Sequence, residues 1–527
     1  MQGPGPALPE PIPSRWRAAK PGALRGARQV AIAVAFVGVA VMSRGSFLHT
    51  TMWYNPDEAE LMAQARAALH SPVPFTTWTT ATTGPFWVLF LALLGRIGFP
   101  LTIAFAHLLS AVMFGLLGYL GFTLARRGLG AAASVIVTGF WWFPLVTTLV
   151  IGGPVNFASL STELLPGALV LAASLPRPEA IARHPAGYYA LTGLLSGLAF
   201  GSKYQVAPMI LAVFAVHVVR VGDYSRRGIV RAAGYWLGGL LTPLLLVGLA
   251  MLVSGGVSVA AVRIDLNFLS SYSGGLTLTS KLSNWRTLVV TLHVVLLVGA
   301  LCWLGVRSSR KIQWCRAALV SSGLFAVYLG GMGFPHYTIC VYIMIAVAVG
   351  LPMRPDAVLV PGVRNPLAAT AVIALVVLIG WVASFGPHHG YLKRTKRYEL
   401  SYSLSASSVK RAPELAADCP SGSNVVVWGW APELYLNYSW HNAIPFLNVT
   451  QITASPKNYA PGDKLLAAAI SDKGTTCVVD AVGDPFFGVT ADGKLTAEYP
   501  DLAALLNQDY RTAKDLNCKS CTVYVRR

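Results

Sequence analysis

The stretch from 232 to 254, AAGYWLGGLLTPLLLVGLAMLVS, runs for 23 residues without a charged side chain. A helix rising about 1.5 Å per residue over that length crosses the roughly 30 Å hydrocarbon core of a bilayer. Comparable apolar runs recur from Val30 to Phe385, after which charged residues and short mixed segments return. Of 527 residues, 54% are hydrophobic and 12% charged, against about 25% charged in a soluble globular domain. These figures exclude a soluble enzyme and predict an α-helical polytopic membrane protein with a soluble tail. The net charge of +19 is not a nucleic-acid footprint, because Lys and Arg sit in short clusters between apolar runs, as in cytoplasmic loops.

Eleven spans are expected, at 29–48, 101–125, 131–151, 160–176, 188–201, 204–219, 232–254, 287–306, 317–333, 338–353 and 366–386. The segment 1–28 is rich in Pro, Gly and Arg and reads as a disordered cytoplasmic tail rather than a cleaved signal. With the N-terminus inside, nineteen basic residues fall on the cytoplasmic side and seven in the outer loops up to Phe385, which is the expected bias. The apolar segment Phe86 to Leu94 is too short to span and is placed as an interfacial helix in a large first outer loop, 49–100. The domain 29–386 is then the membrane part, and 387–527 lies outside the plasma (inner) membrane.

The outer tail alternates β-like runs (Asn424 to Trp428, Thr476 to Val479, Thr522 to Val525) with helical patterns (Pro432 to Tyr438, Asp463 to Ile470, Leu502 to Tyr510). It reads as a small extracytoplasmic α/β domain. Its cysteines, Cys419, Cys477, Cys518 and Cys521, predict at least one disulfide of open connectivity in an oxidising compartment.

Spanning segments avoid ionisable groups, so those at outer helix ends carry the functional signal. Asp57 and Glu58 follow span one within Tyr54-Asn55-Pro56-Asp57-Glu58. Helix capping explains the same pattern, with Asn55 as cap, Pro56 at the first position and Glu58 completing a capping box. Glu163 opens span four, where an acid also satisfies the helix dipole. Lys203 sits in the break Gly201-Ser202-Lys203-Tyr204, and snorkelling to the surface is its structural reading. His336 and Tyr337 lie in the turn Gly333-Phe334-Pro335-His336-Tyr337 and can donate to an anion. Arg263, Asp265, Lys281 and Arg286 read as a solvated face, and Trp141-Trp142 as helix packing. Two acids with a Lys, a His and a Tyr beside one membrane face suit transfer of a sugar from a lipid phosphate to an acceptor hydroxyl. A phosphate leaving group needs cations, the acceptor needs a base, and charge developing on the sugar favours a carboxylate.

The order of motifs resembles the GT-C glycosyltransferases of the aminoarabinose-transferase and protein O-mannosyltransferase type (glycosyltransferase family 39). The resemblance rests on Asp57-Glu58, Thr83-Gly84-Pro85 leading into the interfacial helix, Arg126-Arg127, Thr162-Glu163-Leu164-Leu165-Pro166, Lys203-Tyr204, Phe334-Pro335-His336-Tyr337, and Val427-Trp428-Gly429-Trp430-Ala431-Pro432-Glu433-Leu434-Tyr435. It implies an inverting displacement with Asp57 as catalytic base and Glu58 beside it. Lys203, His336 and Tyr337 would surround the phosphate of a polyprenyl-phosphate-linked sugar donor, and Glu163 would be the second acid, near the acceptor or sugar. The acceptor class, whether glycan, lipid or protein, stays open. So does the use of a divalent cation, since the chain has no compact DxD.

The rival readings are a transporter or flippase of lipid-linked sugars, which would place ionisable groups near the bilayer midplane, and a transferase of a preassembled lipid-linked glycan.

Overall fold

The computed structural model describes residues 14–43, 48, 56–80, 83–127, 129, 131–147, 160–222, 224–272, 277–289, 309–331, 335–351, 413–447, 450–453, 455–481, 493–513 and 522–527. Most of the expected span 287–306, all of span 366–386, and Asn55, Phe334, Cys518 and Cys521 lie outside the described residues.

The chain is a mostly helical, multi-pass membrane protein with a sheet domain. The helices of ten or more residues described up to the middle of the chain are α1 (Ser14–Ser43), α2 (Pro56–His70), α3 (Pro85–Arg96), α4 (Ile103–Ala125), α5 (Ala131–Thr147), α6 (Leu164–Ala173), α7 (Pro185–Phe200) and α8 (Ala207–Val221). Then follow α9 (Arg226–Ser254), α10 (Val259–Tyr272), α11 (Leu278–Val289), α12 (Arg310–Gly330) and α13 (Ile339–Val349). Five described helical stretches are long and apolar enough to cross a membrane: Gly26–Ser43, Ile103–Ala125, Tyr204–Val221, Arg226–Ser254 and Arg310–Gly330.

Two segments depart from the sequence expectation. Helix α1 begins at Ser14, inside the segment 1–28 expected to be disordered, where Arg, Ala and Leu favour helix despite Pro21. Helix α6 has ten residues, about 15 Å, because the polar turn Ser161-Thr162-Glu163 precedes it where the sequence suggests continuous span.

Glycines set the helix contacts. A Cβ on Gly193 or Gly197 of α7 would stand 2.0 or 2.2 Å from the Trp236 or Leu240 carbonyl oxygen of α9, and one on Gly239 would stand 2.1 Å from the Ala190 oxygen. The Gly193/Gly197 spacing gives the close backbone approach by which apolar helices pack where water supplies no driving force. Helix α13 is buried at every position, as expected of a helix apolar all round. It sits at the centre, against α4, α5, α6 and α12. Trp142 of α5 donates its indole N–H to the Phe114 carbonyl of α4 at 2.6 Å and packs edge-on against Phe36 of α1, in keeping with the packing role read from Trp141-Trp142.

In the tail, strands β1 (Asn424–Trp428), β2 (His441–Asn442), β3 (Thr475–Asp480), β4 (Tyr510–Thr512) and β5 (Thr522–Arg526) form one sheet in the order β2-β1-β3-β5-β4. The β1 pairs with β2 and β3 are parallel, and the pairs made by β5 are antiparallel. Helices α14 (Glu433–Asn437), α15 (Tyr459–Ser471) and α16 (Pro500–Asp509) fall where the periodicity places them. Cys419 and Cys477 form a disulfide.

The sheet domain docks on the helical part through polar contacts. Arg66 of α2 donates to the Tyr435 and Leu436 carbonyls, and Asn442 donates to the Thr77 carbonyl. Asn267 of α10 donates to Asn458 at 2.8 Å.

Candidate active site

Four chain segments separated widely in sequence bring their polar ends together. The first turn of α2 carries Asp57, half-buried, and Glu58, fully buried. Glu58 spends its carboxylate across the bundle: one oxygen accepts from the Leu160 backbone N–H at 3.1 Å, and the other lies 3.2 Å from His107 Nε2 of α4. The capping-box reading has Glu58 turn back on its own helix. The observed bonds tie that helix start to α4 and to the approach to α6.

Glu163 precedes α6 and makes no side-chain capping bond to it. Its carboxylate accepts from the Ser161 hydroxyl and, at 3.1 Å, from the Thr162 hydroxyl. Lys203 Nζ lies 3.4 Å from Glu163 Oε1 and donates to Thr162 Oγ1 at 2.9 Å. His336 Nε2 lies 3.9 Å from the same Glu163 oxygen. Lys203 is 4% exposed and Glu163 0%, so the ammonium does not snorkel. It is held inside, 5.6 Å from the centroid of the Tyr337 ring, and that ring packs edge-on against His336 at 4.6 Å. Asp57 is near enough to His336 to interact with it electrostatically. The structure thus brings together Glu163, Lys203, His336 and Tyr337, with Asp57 alongside. Glu58 is held by His107 and the Leu160 backbone instead.

Backbone geometry fixes these positions. Gly84 donates its N–H to the Ser202 carbonyl and Phe86 to the Gly201 carbonyl, each at 3.1 Å. A Cβ on Gly84 would stand 2.0 Å from the Gly201 oxygen, so only glycine permits this approach at the Lys203 turn. Three residues on, Trp87 Nε1 donates to the Thr162 carbonyl at 3.0 Å. The start of α3 therefore clamps the Lys203 turn and the Glu163 turn to each other. On the other side, Gly331 at φ +67° ends α12, a left-handed conformation suited to glycine at a helix end, and the chain re-enters through a 3-10 turn, Pro335–Thr338, that carries His336.

Sequence reasoning missed His107, Ser161, Thr162 as a Lys203 ligand, and Trp87. His107 alone carried a readable signal, being an ionisable group inside an otherwise apolar helix. Asp265, expected on a solvated face, is 2% exposed and accepts from the Thr80 hydroxyl at 2.7 Å. In the tail motif, Trp428 and Tyr435 are buried structural residues: the Trp428 indole donates to the Gly493 carbonyl, and the Tyr435 hydroxyl bridges the Val427 N–H and the Val425 carbonyl. Among the described residues, no group of three or more His, Cys, Asp or Glu is arranged to hold a metal ion.

No family model and no curated protein matches the chain. Similar solved structures are ArnT from Cupriavidus metallidurans in the apo state and archaeal oligosaccharyltransferase AglB from Archaeoglobus fulgidus in complex with an inhibitory peptide and a dolichol-phosphate. The former is 14% identical with a TM-score of 0.44, over 93% of this chain and 97% of that one. The latter is 12% identical with a TM-score of 0.45, over 95% of this chain and 74% of that one.

Proposed function

We propose that the protein transfers a sugar from a polyprenyl-phosphate donor to an acceptor hydroxyl at the extracytoplasmic face of the membrane. The observation that carries this reading is the convergence of Lys203, His336 and Glu163 within 4 Å beside the half-buried Asp57. Lys203, with donors from His336 and Tyr337, receives the donor's phosphate, which in leaving takes the electron pair of the bond to the anomeric carbon. Asp57 removes the acceptor hydroxyl proton as that oxygen attacks from the opposite face, which inverts the anomeric centre. Glu163 holds Lys203 in place and offers a carboxylate to the positive charge developing on the sugar ring. Glu58, engaged by His107 and Leu160, fixes the helix start from which Asp57 projects. Removing a general base typically slows turnover by about 10² to 10⁴, whereas losing a helix-end charge costs about 0.3 to 1 kcal/mol of stability. Asp57→Asn should therefore keep expression, thermal stability and donor binding while losing turnover, measured against a panel of polyprenyl-phosphate sugars. A normal transfer rate in Asp57→Asn removes the base assignment.

A further inference from the structure

The junction between the sheet domain and the helical part has a buried polar centre. Gln451 of the sheet domain, 0% exposed, accepts from the Thr79 hydroxyl at 3.2 Å and donates to Glu60 Oε1 at 3.4 Å. Both of its side-chain hydrogen bonds among the described residues therefore leave its own domain, and they reach two different segments of the helical part.

Each of those segments leads to one half of the candidate active site. Glu60 stands on α2 three residues after Asp57, which makes the two acids neighbours one helical turn apart. The same Glu60 oxygen also accepts from Gln64 at 3.1 Å, so two amides hold the carboxylate. Thr80, next to Thr79, is gripped from another side, where its hydroxyl donates to Asp265 of α10 at 2.7 Å. The Thr83 N–H donates to the Thr80 carbonyl at 2.9 Å, and Gly84 follows at once with its bond to the Ser202 carbonyl. Gln451 is thus one side chain set between the helix of Asp57 and the segment that clamps the Lys203 turn.

Gln451 is itself fixed from behind. Asn458, also 0% exposed, donates to the Gln451 carbonyl at 2.8 Å and to the Ile264 carbonyl at 3.3 Å, and accepts from Asn267 at 2.8 Å. A seam that only joined two domains would hold as well with apolar side chains, because buried carboxylates and amides give up hydration that their hydrogen bonds merely return. What the polar seam adds is direction. Each bond demands a defined distance and angle, so the two parts dock in one relative placement.

We propose that Gln451 is a positioning residue for the transfer reaction: it fixes the distance between Asp57 and the Lys203 turn, and so between the base and the leaving phosphate. The catalytic consequence rests on the transferase reading; the mechanical coupling does not. When the acceptor oxygen enters opposite the departing phosphate, base and cation stand on opposite sides of the anomeric carbon, and a misplacement on the order of 1 Å costs about a hundredfold in rate. Donor binding needs the Lys203 turn alone and depends far less on that distance.

The test uses the full-length protein in lipid nanodiscs, with transfer kinetics on the panel of polyprenyl-phosphate sugars and amide hydrogen exchange read by mass spectrometry. Gln451→Leu removes both bonds at similar volume. The expected result is a kcat lower by about tenfold or more, a donor KM within about threefold of wild type, and faster exchange over 57–63 and 83–88. Asn267→Ala breaks a docking bond that touches neither segment, and kcat should stay within about twofold. Gln451→Glu sets a second carboxylate against Glu60, and adding Glu60→Gln restores an amide–carboxylate pair with the roles exchanged, so the double variant should recover most of the lost kcat. Equal kcat losses in Gln451→Leu and Asn267→Ala reduce Gln451 to a docking contact and overturn the proposal. Unchanged exchange in both segments overturns it too, as does a double variant as slow as Gln451→Glu. Asp57→Asn separates the readings: normal transfer there removes the base assignment while the exchange data still judge the coupling, whereas lost transfer there beside a normal Gln451→Leu keeps the mechanism and removes this inference.

Discussion

Around Glu163 every charged group meets a partner: two hydroxyls and an ammonium on the carboxylate, Thr162 on the ammonium, and His336 within 4 Å. In the sheet domain the buried Tyr499 hydroxyl meets no partner among the described residues, and Asp463, Glu498 and Asp501 line an open cleft. The difference follows from the surroundings. In the helical part an unpaired charge loses its hydration and has nothing to replace it, so the groups are held by one another. In the sheet domain the cleft is open, and water can hydrate its carboxylates in place of a protein partner.

Breaking the helical cluster should therefore produce the largest effects. Lys203→Ala leaves the Glu163 carboxylate buried without its cation, an expected loss of about 3 to 5 kcal/mol visible as a lower Tm in detergent. Donor use should fall by at least about tenfold as well, from loss of a charge-assisted contact. Adding Glu163→Gln to Lys203→Ala should recover much of the stability but none of the donor use. A single variant as stable as wild type would mean that the pair does not hold the turns together.

The disulfide ranks next, since it bridges β3 to the segment that precedes β1. Cys419→Ser should destabilise the sheet domain by about 2 to 5 kcal/mol, read as early cleavage after Cys419 in limited proteolysis, with the helical part still resistant. Simultaneous cleavage of both parts would make them one cooperative unit and erase the contrast.

Gly84→Ala forces the Lys203 turn away from the start of α3. Overpacking of that kind costs about 1 to 3 kcal/mol, and turnover should fall more than stability does, because the displaced backbone carries Lys203. A stability loss with unchanged turnover would remove the clamp from the catalytic account. The smallest effect belongs to Arg511 and Asp418, an ion pair at the surface of the sheet domain at 2.6 Å with the arginine side chain 54% exposed. Solvent screens such a pair, so Arg511→Ala should change stability by under about 1 kcal/mol in chemical denaturation.

Much of this organisation is local and therefore legible in the chain. Apolar runs declare helices because a bilayer tolerates no unpaired backbone, and the alternation from Asn424 to Val525 declares strands and helices because burial follows the period of each. Asp57, Glu163, Lys203 and His336 stand out for the same reason: each is a polar group at the end of an apolar segment. Their partners are not local. Glu58 faces His107 and Leu160, Lys203 faces Glu163, and Trp87 reaches Thr162 across separations of 49, 102, 40 and 75 residues. Which groups meet depends on how each helix is rotated and how closely glycines such as Gly84 let backbones approach, and neither quantity is written in a periodicity. The cleft at Tyr499 is the extreme case. Its acids and rings come from α15, from the first turn of α16 and from the residues just before it, and only the packing of these elements makes them one cleft.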